Sequence, residues 1–129
     1  MTTALWVLFA TVLMPIVCAG IAKVGGGGDT YDNASPRDWL ARRTGYQARA
    51  NAAQANSWEA LGCYLAGLGA AYLGGVETSL IATLALSFLI ARVAYVICYV
   101  SNLATLRSLC WIAGFGCCLT LVALGALGS

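Results

Sequence analysis

Thr78 to Val100 reads TSLIATLALSFLIARVAYVICYV, with Arg92 its only charge. A helix crosses the ~30 Å of bilayer hydrocarbon with about 20 mainly apolar residues, so this stretch predicts a membrane span. Comparable runs lie on either side of it, over 4–22, 57–74 and 106–127. The whole chain agrees: 60% of its 129 residues are hydrophobic and 9% are charged, whereas soluble domains carry about 25% charged residues. A formal net charge of +2 supplies no basic face for nucleic acid. With His at 0, imidazole acid–base chemistry is excluded, and no metal is expected. The solvent for this chain is a lipid bilayer.

The first run ends at Lys23 and contains Pro15, where a kink is expected. Met1-Thr2-Thr3 carries no basic segment, and Val17 is bulky for the position before a lipoprotein cysteine at Cys18. The run therefore reads as an uncleaved anchor. Gly25 to Gly28 break the chain, and Asp29 to Ala34 read as a polar loop. Ser35-Pro36-Arg37-Asp38 then predicts a helix start, with Ser35 as cap and Pro36 in the first helical position. From there one helix is expected to continue to about Gly74, polar to Ser57 and apolar after it. Gly74-Gly75 and Ser101 to Thr105 read as tight turns. The expected architecture is all-α: one four-helix up-down membrane domain over 1–129, with a loop and helix extension over 23–56. Lys23, Arg37, Arg42, Arg43, Arg49 and Arg107 all fall at the first and third connections. The positive-inside rule then sets both termini on the non-cytoplasmic side.

Ionisable groups at membrane depth are costly and point to function or to a partner. On the second long helix Arg42, Arg49 and Asn56 recur every seven residues, Glu59 follows, and Gly62, Ala66, Ala70 and Gly74 continue as small residues at every fourth position. Small residues at that spacing let helix backbones approach closely. On the third, Arg92, Tyr95, Tyr99 and Asn102 share one stripe. Arg92 needs a counter-charge, and Glu59 is the acid expected at its depth, so a Glu59–Arg92 pair is predicted, within one chain or between neighbours; holding the bundle in register is an equally good use for it. Arg107 and Ser108 open the fourth helix, where an arginine also serves as an interfacial anchor. The six cysteines show no metal-ligand or redox spacing and read as small hydrophobes.

Ala53-Gln54-Ala55-Asn56-Ser57-Trp58-Glu59, Ala91-Arg92-Val93-Ala94-Tyr95 through Tyr99, and Leu106-Arg107-Ser108 together resemble the MAPEG family, the membrane-associated proteins in eicosanoid and glutathione metabolism. Tyr31-Asp32-Asn33 through Pro36-Arg37 resembles its bacterial branch. The resemblance implies a homotrimer in a bacterial inner membrane that takes glutathione as co-substrate in a cleft between subunits. It implies that Asn56, Glu59, Arg92, Tyr99 and Arg107 contact glutathione, joined by Arg49, Tyr95 and Ser108, with Arg107 as the catalytic cation. A fixed cation stabilises a thiolate, and the second substrate would be a lipophilic electrophile or hydroperoxide dissolved in lipid. The sequence departs from the family at Ala52, where an Arg is usual, at Tyr95, where the prostaglandin synthase has His, and at Trp111, where it has Tyr. Two further readings stand beside a glutathione-dependent transferase or peroxidase. One is a non-catalytic structural or accessory membrane subunit; the other is a proton or solute path through Glu59 and Arg92.

Overall fold

Long unbroken runs of Ala, Leu, Ile, Val and Cys have no backbone partner in lipid except their own helix, and helices are what they form. The computed structural model describes residues 1–26 and 28–128, and among these there is no strand. Its elements are α1 (Thr2–Lys23), α2 (Pro36–Ala41), α3 (Gly45–Leu73), α4 (Thr78–Val100) and α5 (Ala104–Gly128). α1, α4 and α5 are long and apolar enough to cross a membrane. α4 coincides with the expected run over 78–100, and α1 continues unbroken through Pro15.

One expectation fails outright. The single helix from Ser35 to Gly74 is interrupted: α2 ends at Ala41 and α3 restarts at Gly45, with Thr44 as its cap. Gly45 sits at φ 60°, a left-handed conformation that is cheap only for glycine, so the chain turns there. Ser35 caps α2 without a side-chain hydrogen bond. Arg42 therefore lies off α3 and exposed, and the stripe that it was to begin starts at Arg49.

α1 packs on α3, α3 on α5, α5 on α4, and α4 more thinly back on α1. The core of this ring is built from small residues. Ala4, Cys18, Ala53, Ala71 and Ala85 point inward, while Trp6, Phe9, Ile16, Ile90, Ile97, Leu109 and Ile112 point outward. That inversion suits a protein whose outer face meets lipid. At the centre the Tyr64 and Phe88 rings stack with centroids 4.6 Å apart, and the Tyr64 hydroxyl donates to the Ala4 carbonyl at 2.9 Å. Tyr64→Phe removes the one bond that this buried ring makes between α3 and α1. It should cost about 1 kcal/mol, read as a lower unfolding midpoint in detergent.

α3 and α5 run parallel and touch backbone to backbone. A Cβ on Gly67 would meet the Cys118 carbonyl at 3.0 Å, and one on Gly125 would be driven into the Ala70 carbonyl. Gly74 and Gly128 are in similar contact. The expected small-residue stripe is thus half right: Ala70 and Gly74 lie in the helix contact, whereas Gly62 and Ala66 face outward.

The turns close on hydrogen bonds typical of helix ends. Val76 N–H donates to Ala71 O and Gly75 N–H to Tyr72 O after α3, and Leu103 N–H donates to Cys98 O and Asn102 N–H to Tyr99 O after α4. The residues that must turn left-handed are Gly75 and Asn102. At the same end as the second turn, α2 folds under the bundle. Trp39 and Leu40 pack with Ala22 and Ala50, Arg43 lies over the Trp39 ring at 4.0 Å, and Gln47 Nε2 donates to the Ala22 and Gly25 carbonyls.

Candidate functional site

Arg92 decides where chemistry can occur, because its side chain is only 2% exposed and its charge needs company. Gly114 of α5 makes room for it, since a Cβ there would already touch the Arg92 Cδ at 3.5 Å. Arg92 Nη1 donates to Asn56 Oδ1 at 2.8 Å and Nη2 to Ser57 Oγ at 3.4 Å. Ser57 can accept because its own proton is spent on the Ala53 carbonyl at 2.7 Å. Beneath the guanidinium lies the Tyr95 ring, 4.1 Å away. Arg92 Nε is buried and has no partner among the described residues.

Within one chain the predicted Glu59–Arg92 pair does not form directly. Among the described residues the one ion pair is Arg43–Asp29 at 3.6 Å. Asn56 stands between the two charges instead: it accepts from Arg92 and gives its Nδ2 proton to Glu59 Oε2 at 3.2 Å. An amide can do both at once, whereas a carboxylate can only accept. Glu59 is exposed, so its carboxylate keeps acceptor capacity free for something else.

A second cation follows along α4. Tyr99 meets Tyr95 edge to face at 5.6 Å, and the Arg107 guanidinium lies 4.5 Å from the Tyr99 ring. Stacking of this kind holds a charge in place without neutralising it. Two hollows adjoin here. One, of about 80 Å³, is lined by Asn56, Glu59, Ala60, Cys63, Phe88, Arg92, Trp111, Phe115 and Cys118. The other, of about 370 Å³, is lined by Asn56, Tyr95, Tyr99, Arg107, Ser108, Trp111 and Ile112. Asn56 and Trp111 belong to both.

Of the candidate residues, the structure gathers Asn56, Glu59, Arg92, Tyr95, Tyr99, Arg107 and Ser108 around these hollows. Ser108 lines the larger one while its hydroxyl donates to Ala104 O at 3.2 Å. Arg49 lies apart: its Nε donates to the Val100 carbonyl at 3.1 Å, where it caps the C-terminal end of α4. Sequence reasoning passed over Ser57, Cys63 and Phe115. Ser57 directly follows Asn56, so an inward serine beside an inward amide was the available signal. Phe115 stacks on Trp111 at 5.0 Å and carried no signal beyond helical spacing. Cys63 is linked to the site only through tertiary packing. Among the described residues no three Cys, Asp or Glu side chains gather as a metal ion requires.

Chemically, the arrangement offers two fixed guanidinium groups, one free carboxylate and an aromatic wall around a space large enough for a small molecule. It suits a ligand that carries both anionic and cationic groups. No curated protein matches the chain. The family comparison is decisive where individual relatives are not: residues 3–127 match the MAPEG family, nearly the full length, and the chain belongs to it.

Proposed function

We propose that this MAPEG protein binds glutathione across the two adjoining hollows and directs its thiolate at a lipophilic electrophile or hydroperoxide. The observation that carries this reading is the pair of immobilised cations. Arg92 and Arg107 flank the Tyr95–Tyr99 pair and border adjoining hollows that share Asn56 and Trp111. Arg92, with Nε unclaimed, binds a glutathione carboxylate, and Glu59 accepts from the ammonium group. Arg107 faces the thiol. A free thiol, with pKa about 8.5, is mostly protonated at neutral pH, and an adjacent cation favours the thiolate. The thiolate then attacks the electrophile and displaces its leaving group into lipid or water; with a hydroperoxide it attacks the terminal oxygen, the O–O bond breaks, the alcohol leaves, and a second glutathione converts the resulting sulfenic acid to glutathione disulfide and water.

On the same reading the chain crosses a bacterial inner membrane four times, with α3 as the remaining span and both termini outside the cytoplasm. It assembles as a homotrimer whose neighbouring subunit closes the open side of Glu59. A second reading keeps the fold and drops the chemistry: a structural subunit, favoured by Ala52 at a usual Arg position and by Arg49 bound to Val100. Calorimetric titration of the purified protein separates the two. Saturable heat with glutathione supports the transferase, and silence up to millimolar concentrations supports the structural subunit. Arg107→Ala is expected to abolish the ultraviolet thiolate absorbance of bound glutathione, and an unchanged signal removes Arg107 from the mechanism.

A further inference from the structure

The ring of helices has two unlike sides. The hollows of the candidate site open along α3 and α5, whereas the opposite side, between α1 and α4, is thinly packed. A groove of about 500 Å³ runs along it, walled by Met14, Val17 and Ile21 of α1 and by Leu89, Val93 and Val96 of α4. One end of the groove is closed, because Ala4 and Val7 of α1 are buried with Ile81 and Ala85 of α4 in the main core. From Ala10 to Ile21, both lining residues, the axial rise is about 16 Å at ~1.5 Å per residue. One hydrocarbon leaflet is about 15 Å deep. A second apolar hollow, of about 400 Å³, shares Val17 and Ile21 with the groove and extends past Gly20 to Tyr46.

Polar groups gather at the open end. Leu89, Val93, Val96 and Val100 share one stripe of α4, so Val100 marks the mouth of the groove. Arg49, the candidate that the glutathione hollows leave aside, donates its Nε to the Val100 carbonyl at 3.1 Å. Among the described residues no carboxylate pairs with Arg49, and neither apolar hollow has an acidic lining residue. One turn earlier on α3 the Tyr46 hydroxyl donates to the Val24 carbonyl, as suits a tyrosine at a membrane–water boundary. We propose that the groove and its companion hollow hold the two acyl chains of an anionic phospholipid, whose phosphate is bound by the terminal nitrogens of Arg49. The planar guanidinium takes two phosphate oxygens at once. A lipid fits this side better than a second copy of the chain does, because the open side of Glu59, which a neighbouring subunit closes on the reading above, lies across the ring. Glutathione binding itself is not required.

Native mass spectrometry of the purified protein in detergent, titrated with dioleoyl phosphatidylglycerol, tests this. The expected result is one tightly retained lipid per chain, held more tightly than dioleoyl phosphatidylethanolamine, whose ammonium group meets the Arg49 charge unfavourably. Arg49→Gln should weaken retention about tenfold, whereas Arg37→Gln, a change at an exposed position of α2, should leave it unchanged. Val93→Trp fills the groove from a half-exposed position and should abolish retention while the unfolding midpoint stays near that of the native protein. Lysophosphatidylglycerol, with one chain, should bind more weakly. The proposal is overturned if no phosphatidylglycerol is retained, or if Arg37→Gln weakens retention as much as Arg49→Gln, which would show diffuse surface charge. It is overturned equally if Val93→Trp keeps the lipid but changes the number of subunits, which would give the groove to a second copy. Equal binding of the single-chain lipid would refute the two-chain fit.

Discussion

Gly125→Val is expected to yield little folded protein. The α-hydrogen of Gly125 that a side chain would replace faces the Ala70 carbonyl and the Ala71 amide, both backbone groups that cannot rotate away. A valine would have to separate α3 from α5, and with them the contacts of Gly67 with Cys118 and of Gly74 with Gly125. Overpacking a core commonly costs about 1–3 kcal/mol. Here the cost should reach or pass the upper end, because the obstacle is main chain rather than a flexible side chain. Gly116→Val is the matched control, since a Cβ there meets nothing within 4 Å. Yield and unfolding midpoint in detergent decide the matter, and equal stability of the two variants would remove the helix contact from the explanation of the fold.

The second large effect belongs to Arg92. Arg92→Met keeps the length of the buried stem and removes the bonds to Asn56 and Ser57 and the charge over Tyr95. Hydrogen bonds to charged groups contribute about 1.5–3 kcal/mol, so glutathione affinity should fall by roughly tenfold to a hundredfold. Arg92→Lys should fail to restore it. A single ammonium group cannot reach Asn56 and Ser57 while leaving a planar third donor free for a carboxylate. Calorimetry measures the affinity, and near-native affinity in Arg92→Lys would show that only charge matters at this position.

Hydropathy alone placed α1, α4 and α5, because lipid requires continuous apolar length and sequence displays length directly. That Glu59 and Arg92 lie at one level of the bundle was legible for the same reason, and Asn56 bonds both. Their relation was not: whether Asn56 stands beside the pair or between them depends on side-chain rotamers. The small-residue line from Gly62 to Gly74 shows a second limit. Positions four apart drift by about 40° at each step on a helix of 3.6 residues per turn, so only the end of that line meets α5. The break at Gly45 was hidden in a polar segment, where nothing in the hydropathy distinguishes one helix from two. Cys63 and Cys118 lie too far apart in sequence for any spacing rule to join them, and the packing of α3 on α5 brings both to one hollow.

That contact also bears on movement. α3 and α5 are clamped main chain to main chain from Gly67 to Gly128, while the hollows open between the same helices nearer Asn56 and Trp111. The two rods form a clothes-peg, with its spring at the glycines and its jaws at Asn56 and Arg107. Any breathing that admits a ligand pivots at the glycines, so a few degrees of rocking there become the widest gape at the jaws.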